Sequence, residues 1–99
     1  MKNIMRDSNR ANPELVLLDV RELAPPEPMT AILSALAILA PQQILKVSHR
    51  REPFPLYERL EAADWCHHCK KINEDFYVIH IFKHENKSIF KQTYEHSAE

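Results

Sequence analysis

Among its 99 residues the chain has no glycine. Glycine enters positive φ without steric cost, so every turn here falls to Pro, Asn, Asp or Ser, or to an ordinary residue under strain. The same absence excludes glycine-rich phosphate loops and dinucleotide fingerprints, and with them nucleotide chemistry of those kinds. Cysteine is scarce: Cys66 and Cys69 are too few and too close together for a secreted disulfide framework. Neither sign of charge predominates, since 13 basic and 14 acidic side chains leave a net charge of −1. No bulk field recruits nucleic acid. The longest apolar run, around Ala31 to Ala40, is broken by Ser34 and is too short to cross a bilayer. Met1 to Asp7 lacks the apolar stretch of a signal peptide, so a cytoplasmic protein with no membrane association is expected.

What the chain does have is proline in clusters. Pro25, Pro26 and Pro28 lie within four residues, where neither a helix interior nor a central strand can hold them. Pro28 suits the first turn of a helix, where its missing N–H would have no partner anyway. Met29 to Ala40 follows, almost wholly apolar. His49-Arg50-Arg51-Glu52-Pro53-Phe54-Pro55 repeats the design: a polar turn, then prolines that enter a helix. The chain therefore has two hinges of one kind.

The length suits a single domain. Residues 1–13 are polar and aperiodic and read as a mobile lead-in, residues 14–83 as the folded domain, and residues 84–99 as a polar tail. Within the tail, Asn86 is placed to cap a short helix that brings Ile89, Phe90 and Tyr94 to one side. Glu14 to Val20 is a continuous apolar run of strand length, of the kind that suits a strand covered on both faces. The first helix spans about Pro28 to Ala40, with Met29, Ile32, Leu33, Leu36 and Ala40 turned to the sheet. Ala31, Ala35 and Ile38 then fall on its far side, either as a small smooth surface patch or as the contact of a homodimer. Gln43 to Ser48 is the second strand, and Leu56, Leu60 and Ala63 mark one face of a second helix. Trp65 to Ile72 and Phe76 to Phe82, joined by Asn73-Glu74-Asp75, make a hairpin. Strand, helix, strand, helix, strand, strand predicts an α/β two-layer sandwich: a four-stranded mixed sheet with two helices on one face and the first two strands parallel.

That order and the first hinge resemble the TusA-like (SirA-like) fold superfamily. Its signature is Cys-Pro-x-Pro entering the first helix, with the cysteine carrying sulfur as a persulfide. In the run Leu18 to Pro28, Pro26 and Pro28 match, but Pro25 stands at the sulfur-carrying position. The nearer resemblance is to a sister family of unknown function, in which Asp-x-Arg-x-Leu-x-Pro-Pro-Glu-Pro replaces the cysteine motif. Arg-Glu-Pro-x-Pro-Leu before the second helix also belongs to that family, and occurs here as Arg51 to Leu56. The resemblance covers about Leu15 to Phe82; Glu22 departs from it, standing where related sequences often have glycine. Members also occur beside or fused to hemerythrin-like domains. The resemblance implies an uncharacterised relative of sulfur-relay proteins, and with no nucleophile at Pro25 no enzymatic role is assigned.

Two constellations carry the remaining chemistry. Parallel first and second strands place both hinges at one end of the sheet, bringing Arg21, Pro25, Pro26, Glu27 and Pro28 towards His49, Arg50, Arg51 and Glu52. Helix N-termini with arginines favour an anion, and open α/β sheets bind ligands at the carboxyl ends of their strands. The leading expectation is a non-catalytic binding or interaction module for a protein partner or a small anion. The plainer alternative pairs Arg21 and Arg51 with Glu27 and Glu52, merely stiffening the hinges.

The second constellation is Cys66, His67, His68 and Cys69, with His80 across the hairpin. On an extended strand the cysteines point to opposite faces, too far apart for one disulfide. With Glu74 and Asp75 as the hairpin tip, His80 joins His67 and Cys69; with a turn one residue longer it joins Cys66 and His68. Either set suits zinc, copper or iron, which makes a metal-binding or redox protein the competing expectation. The bland alternative is a half-buried strand with solvated histidines. A sulfur carrier relocated to Cys66 or Cys69 is a third, and it needs an exposed thiol of low pKa.

Overall fold

A computed structural model describes residues 13–91. In chain order they form β1 (Glu14–Asp19), α1 (Glu27–Ala37), β2 (Gln43–His49), α2 (Phe54–Ala62), β3 (Trp65–Asn73) and β4 (Phe76–Lys83). A 3-10 turn (His84–Asn86) and a single helical turn, α3 (Lys87–Phe90), follow. The four strands form one mixed sheet in the order β1-β2-β4-β3, with β1 parallel to β2 and the other pairs antiparallel. The expected two-layer α/β architecture is therefore present.

Strand alternation divides the side chains between two faces. On one face Leu45, Val47, Ile79 and Ile81 pack with Ile32 and Leu36 of α1 and with Leu56 and Leu60 of α2. Each such aliphatic side chain, fully buried, contributes about 1.5–3 kcal/mol of transfer free energy. On the other face Ile44 and Phe82 pack with Phe90 of α3. The segment expected to be a polar tail thus supplies a buried aromatic, and the fold continues to α3. Asn86 sits at the N-cap of α3 without a side-chain cap bond; its amide instead donates to the Pro41 carbonyl at 2.7 Å. Tyr94 lies outside the described residues.

Two expectations of facing are corrected. First, β1 is an edge strand: Val16 and Leu18 pack towards the helices, whereas Leu17 is 71% exposed. A continuous apolar run does not reveal which of its faces remains uncovered. Second, Ala31 and Ala35 pack against the core beside Ile32 and Leu36, and only Ile38, at the C-cap, stands out at 85% exposure. The solvent face of α1 is Thr30, Ser34 and Ala37. The helix lies close enough to the sheet for small residues to flank its buried ridge.

The turns show how a chain without glycine manages. Asp64, between α2 and β3, has φ 65° and is the one described residue in the left-handed region. A short polar side chain tolerates that conformation better than a branched one. At the hairpin tip the Asp75 N–H donates to Asn73 Oδ1 at 2.9 Å, and Asn73 pairs directly with Phe76. Two-residue hairpin loops usually rely on positive φ to match the strand twist. None is used here, and the register shifts between Lys71 and Asn73 instead.

Candidate functional site at the proline hinges

Because β1 and β2 run parallel, the chain leaves both strands at the same end and enters α1 and α2 from there. A cleft of about 640 Å³ opens between the two hinges. Its first wall includes Leu23, Ala24, Pro25, Pro26 and Pro28; its second includes His49, Arg50, Arg51, Glu52 and Pro53. Val20, Ile32 and Leu56, which belong to the buried core, also border it. Of the hinge residues expected from the sequence, only Glu27 is absent from the lining.

The first hinge begins with a turn closed by Leu23 N–H donating to the Val20 carbonyl at 3.1 Å. Glu22 lies inside this turn, and since Asp64 alone among the described residues has positive φ, no glycine is needed there. Arg21 is held at both ends. Its Nε and a terminal nitrogen donate to the two oxygens of Asp19 at 3.0 and 2.8 Å, and its guanidinium lies 4.7 Å from the centre of the Phe76 ring. The hydrogen bonds from the Arg21 side chain and backbone hold the Asp19 carboxyl at about 2. The partner of Arg21 is thus Asp19 rather than Glu27, and a carboxylate two residues upstream at a strand end was the signal for it.

The second hinge keeps its charges differently. Glu52 accepts from the Tyr57 hydroxyl at 2.9 Å and does not bridge to Arg51. Arg50 and Arg51 are exposed, and among the described residues neither enters an ion pair. His49 is 8% exposed, and its Nδ1 accepts the Arg51 backbone N–H at 3.3 Å. That bond fixes the proton of neutral His49 on Nε2. Burial, and then the Arg51 charge, push the pKa of His49 below its ordinary value.

The helix N-termini offer fewer donors than dipole reasoning assumes. Pro28 and Pro55 have no N–H. Glu27 N–H already donates to Ala24, Phe54 N–H to Glu52 and Leu56 N–H to Pro53. The backbone at the two helix starts therefore leaves few free donors facing the cleft.

A family model described as Uncharacterized conserved protein (DUF2249) matches residues 17–83. The chain belongs to this family. The match runs from Leu17, within β1, to the end of β4 and takes in both hinges and the hairpin. No curated protein and no solved structure matches the chain.

The hairpin residues that lie within the family match separate onto two faces. His67 and Cys69 turn towards the helices, where the His67 ring stacks on Tyr57 with centroids 4.1 Å apart. Cys66, His68 and His80 turn the other way, His68 directly opposite His80, and Phe90 packs on both imidazoles. The tip is the two-residue one, yet His80 joins Cys66 and His68, because the register shift before Asn73 does what a longer turn would have done. Among the described residues no three His, Cys, Asp or Glu side chains converge as a metal site. Cys66 Sγ lies 3.4 Å from His84 Nδ1, a neighbour that the strand pattern did not reveal. Both cysteines are free thiols. Burial pushes the Cys69 thiol up; the Tyr57 hydroxyl partly offsets this, and Glu52 adds to it. No helix among the described residues is long and apolar enough to cross a membrane.

Proposed function

We propose that this protein is a non-catalytic binding module of the TusA-like kind, working through the cleft between its two proline hinges. One observation carries the reading: residues of two hinges well separated in sequence, predicted as a surface from strand order alone, line a single cleft of about 640 Å³. That volume falls within the range of small-molecule sites, about 300–1,000 Å³. Rigid proline walls lower the entropy cost of holding such a cleft open. The protein acts by holding a partner or small anion, since Pro25 offers no nucleophile where a sulfur carrier has its cysteine.

Support for the hairpin as the working site is weaker. Its histidines and cysteines divide between faces, and a thiol raised by burial, as at Cys69, is a poor sulfur carrier. The test uses anilinonaphthalene sulfonate, a fluorescent probe with an apolar body and an anionic group. The native protein should enhance its fluorescence, Ala24→Trp should fill the cleft and weaken binding, and Cys66→Ser should leave binding unchanged. Equal binding by native protein and Ala24→Trp would overturn the reading.

A further inference from the structure

The cleft holds one polar group that the fold itself does not use. His49 is more than nine-tenths buried and lines the cleft, and the one hydrogen bond of its side chain among the described residues is that accepted by Nδ1 from Arg51 N–H. The tautomer so fixed leaves an Nε2–H donor with no acceptor among the described residues. That nitrogen is not sealed from solvent, so an oxygen of a ligand in the cleft can accept from it.

Two further observations narrow the chemistry of that oxygen. Around His49 the walls are apolar: Pro25, Pro26, Pro28, Met29, Ile32 and Leu56 offer nothing to a sugar or a polar peptide backbone. At the rim Asp19 neutralises Arg21, the Glu52 carboxylate accepts from Tyr57 and Glu22 is exposed, while Arg50 and Arg51 enter no ion pair among the described residues. A neutral N–H donor, two free guanidiniums and apolar walls together complement an acid with a hydrocarbon body.

From this arrangement we infer that the cleft binds a small organic carboxylate, with its apolar body against the proline walls and a carboxylate oxygen accepting from His49 Nε2–H. Arg50 and Arg51 supply the opposing charge. A phosphate ester or a sugar acid would strand polar atoms against proline and aliphatic surface, and is disfavoured by the cost of burying them. The inference rests on the cleft being the binding site, and it adds the class of ligand.

The test titrates full-length, isotope-labelled protein with hexanoate and, separately, with hexanamide, following backbone amides and the His49 ring nitrogens. Hexanoate should move signals from both hinges and shift His49 Nε2, while hexanamide should bind at least about tenfold more weakly, the loss expected when a charge-assisted bond becomes a neutral one. The double variant Arg50→Gln, Arg51→Gln should weaken hexanoate by about tenfold and leave hexanamide unchanged. His49→Phe should weaken hexanoate, and His49→Gln, which keeps a donor near the position of Nε2, should restore part of the loss. If the amide and the acid bind the hinges equally, the carboxylate inference falls while the cleft remains the binding site. Hexanoate shifts confined to the hairpin, or absent at about 20 mM probe, a concentration on the order of weak-fragment affinities, would overturn the inference. Loss of the fluorescent-probe response in the native protein would separately overturn the cleft.

Discussion

At the scale of single residues, the lack of glycine concentrates backbone strain at one described position. Asp64 carries the positive φ between α2 and β3. Replacing it with glycine should stabilise the fold by about 0.5–1 kcal/mol, and Asp64→Val should cost about 1–2 kcal/mol, both read from urea unfolding midpoints. An unchanged midpoint in both variants would mean that this turn stores no strain. His80 makes a second prediction. Burial, then the Lys46 and His68 charges, bring its pKa from 6.5 down to about 4. Between those values the unfolded chain holds more protons than the folded one, so stability should fall as pH drops from 6.5 towards 4. His49, also lowered, acts in the same direction. His80→Leu should flatten the pH dependence of the unfolding midpoint, and a slope as steep as that of the native chain would assign the effect elsewhere.

At the scale of elements, two helices cover one face of the sheet, and on the other Phe90 of α3 stacks on Phe82, centroids 4.5 Å apart. Phe90→Ala should cost about 3–5 kcal/mol, measured by denaturant unfolding, while the hinge signals in amide spectra stay in place. A loss below about 1 kcal/mol would mean that α3 is dispensable. On α1, Ala35→Glu should lower the melting temperature, because Ala35 packs against the core rather than facing outward. Ser34→Glu, on the solvent face, should leave it unchanged within a degree or two. The order and type of the main elements were legible because apolar runs and proline clusters punctuate this chain sharply. Facing was harder to read. The small residues Ala31 and Ala35 fit either a buried flank or an outer surface, and the pattern of β1 did not distinguish edge from centre. The register shift before Asn73 depends on how the tip reconciles its backbone with strand twist, which composition does not encode.

At the scale of the whole molecule, parallel β1 and β2 are what bring two distant hinges together, and this much of the site followed from strand order. The wiring inside it did not. Pairing by nearest opposite charge suggested Arg21 with Glu27 and Arg51 with Glu52; the fold gives Arg21 to Asp19 and Glu52 to Tyr57, leaving Arg50 and Arg51 open at the rim. The hairpin, richer in metal-ligating residue types, is divided by strand alternation, with His67 on Tyr57 and with His68 and His80 under Phe90. We therefore propose that binding belongs at the hinges. A library of small fragments, screened by amide spectra of the native protein, tests this most directly. Perturbations from most hits should gather between Val20 and Met29 and between His49 and Leu56. Hits that gather instead on Trp65 to Lys83 would contradict the account and return the hairpin as the working site.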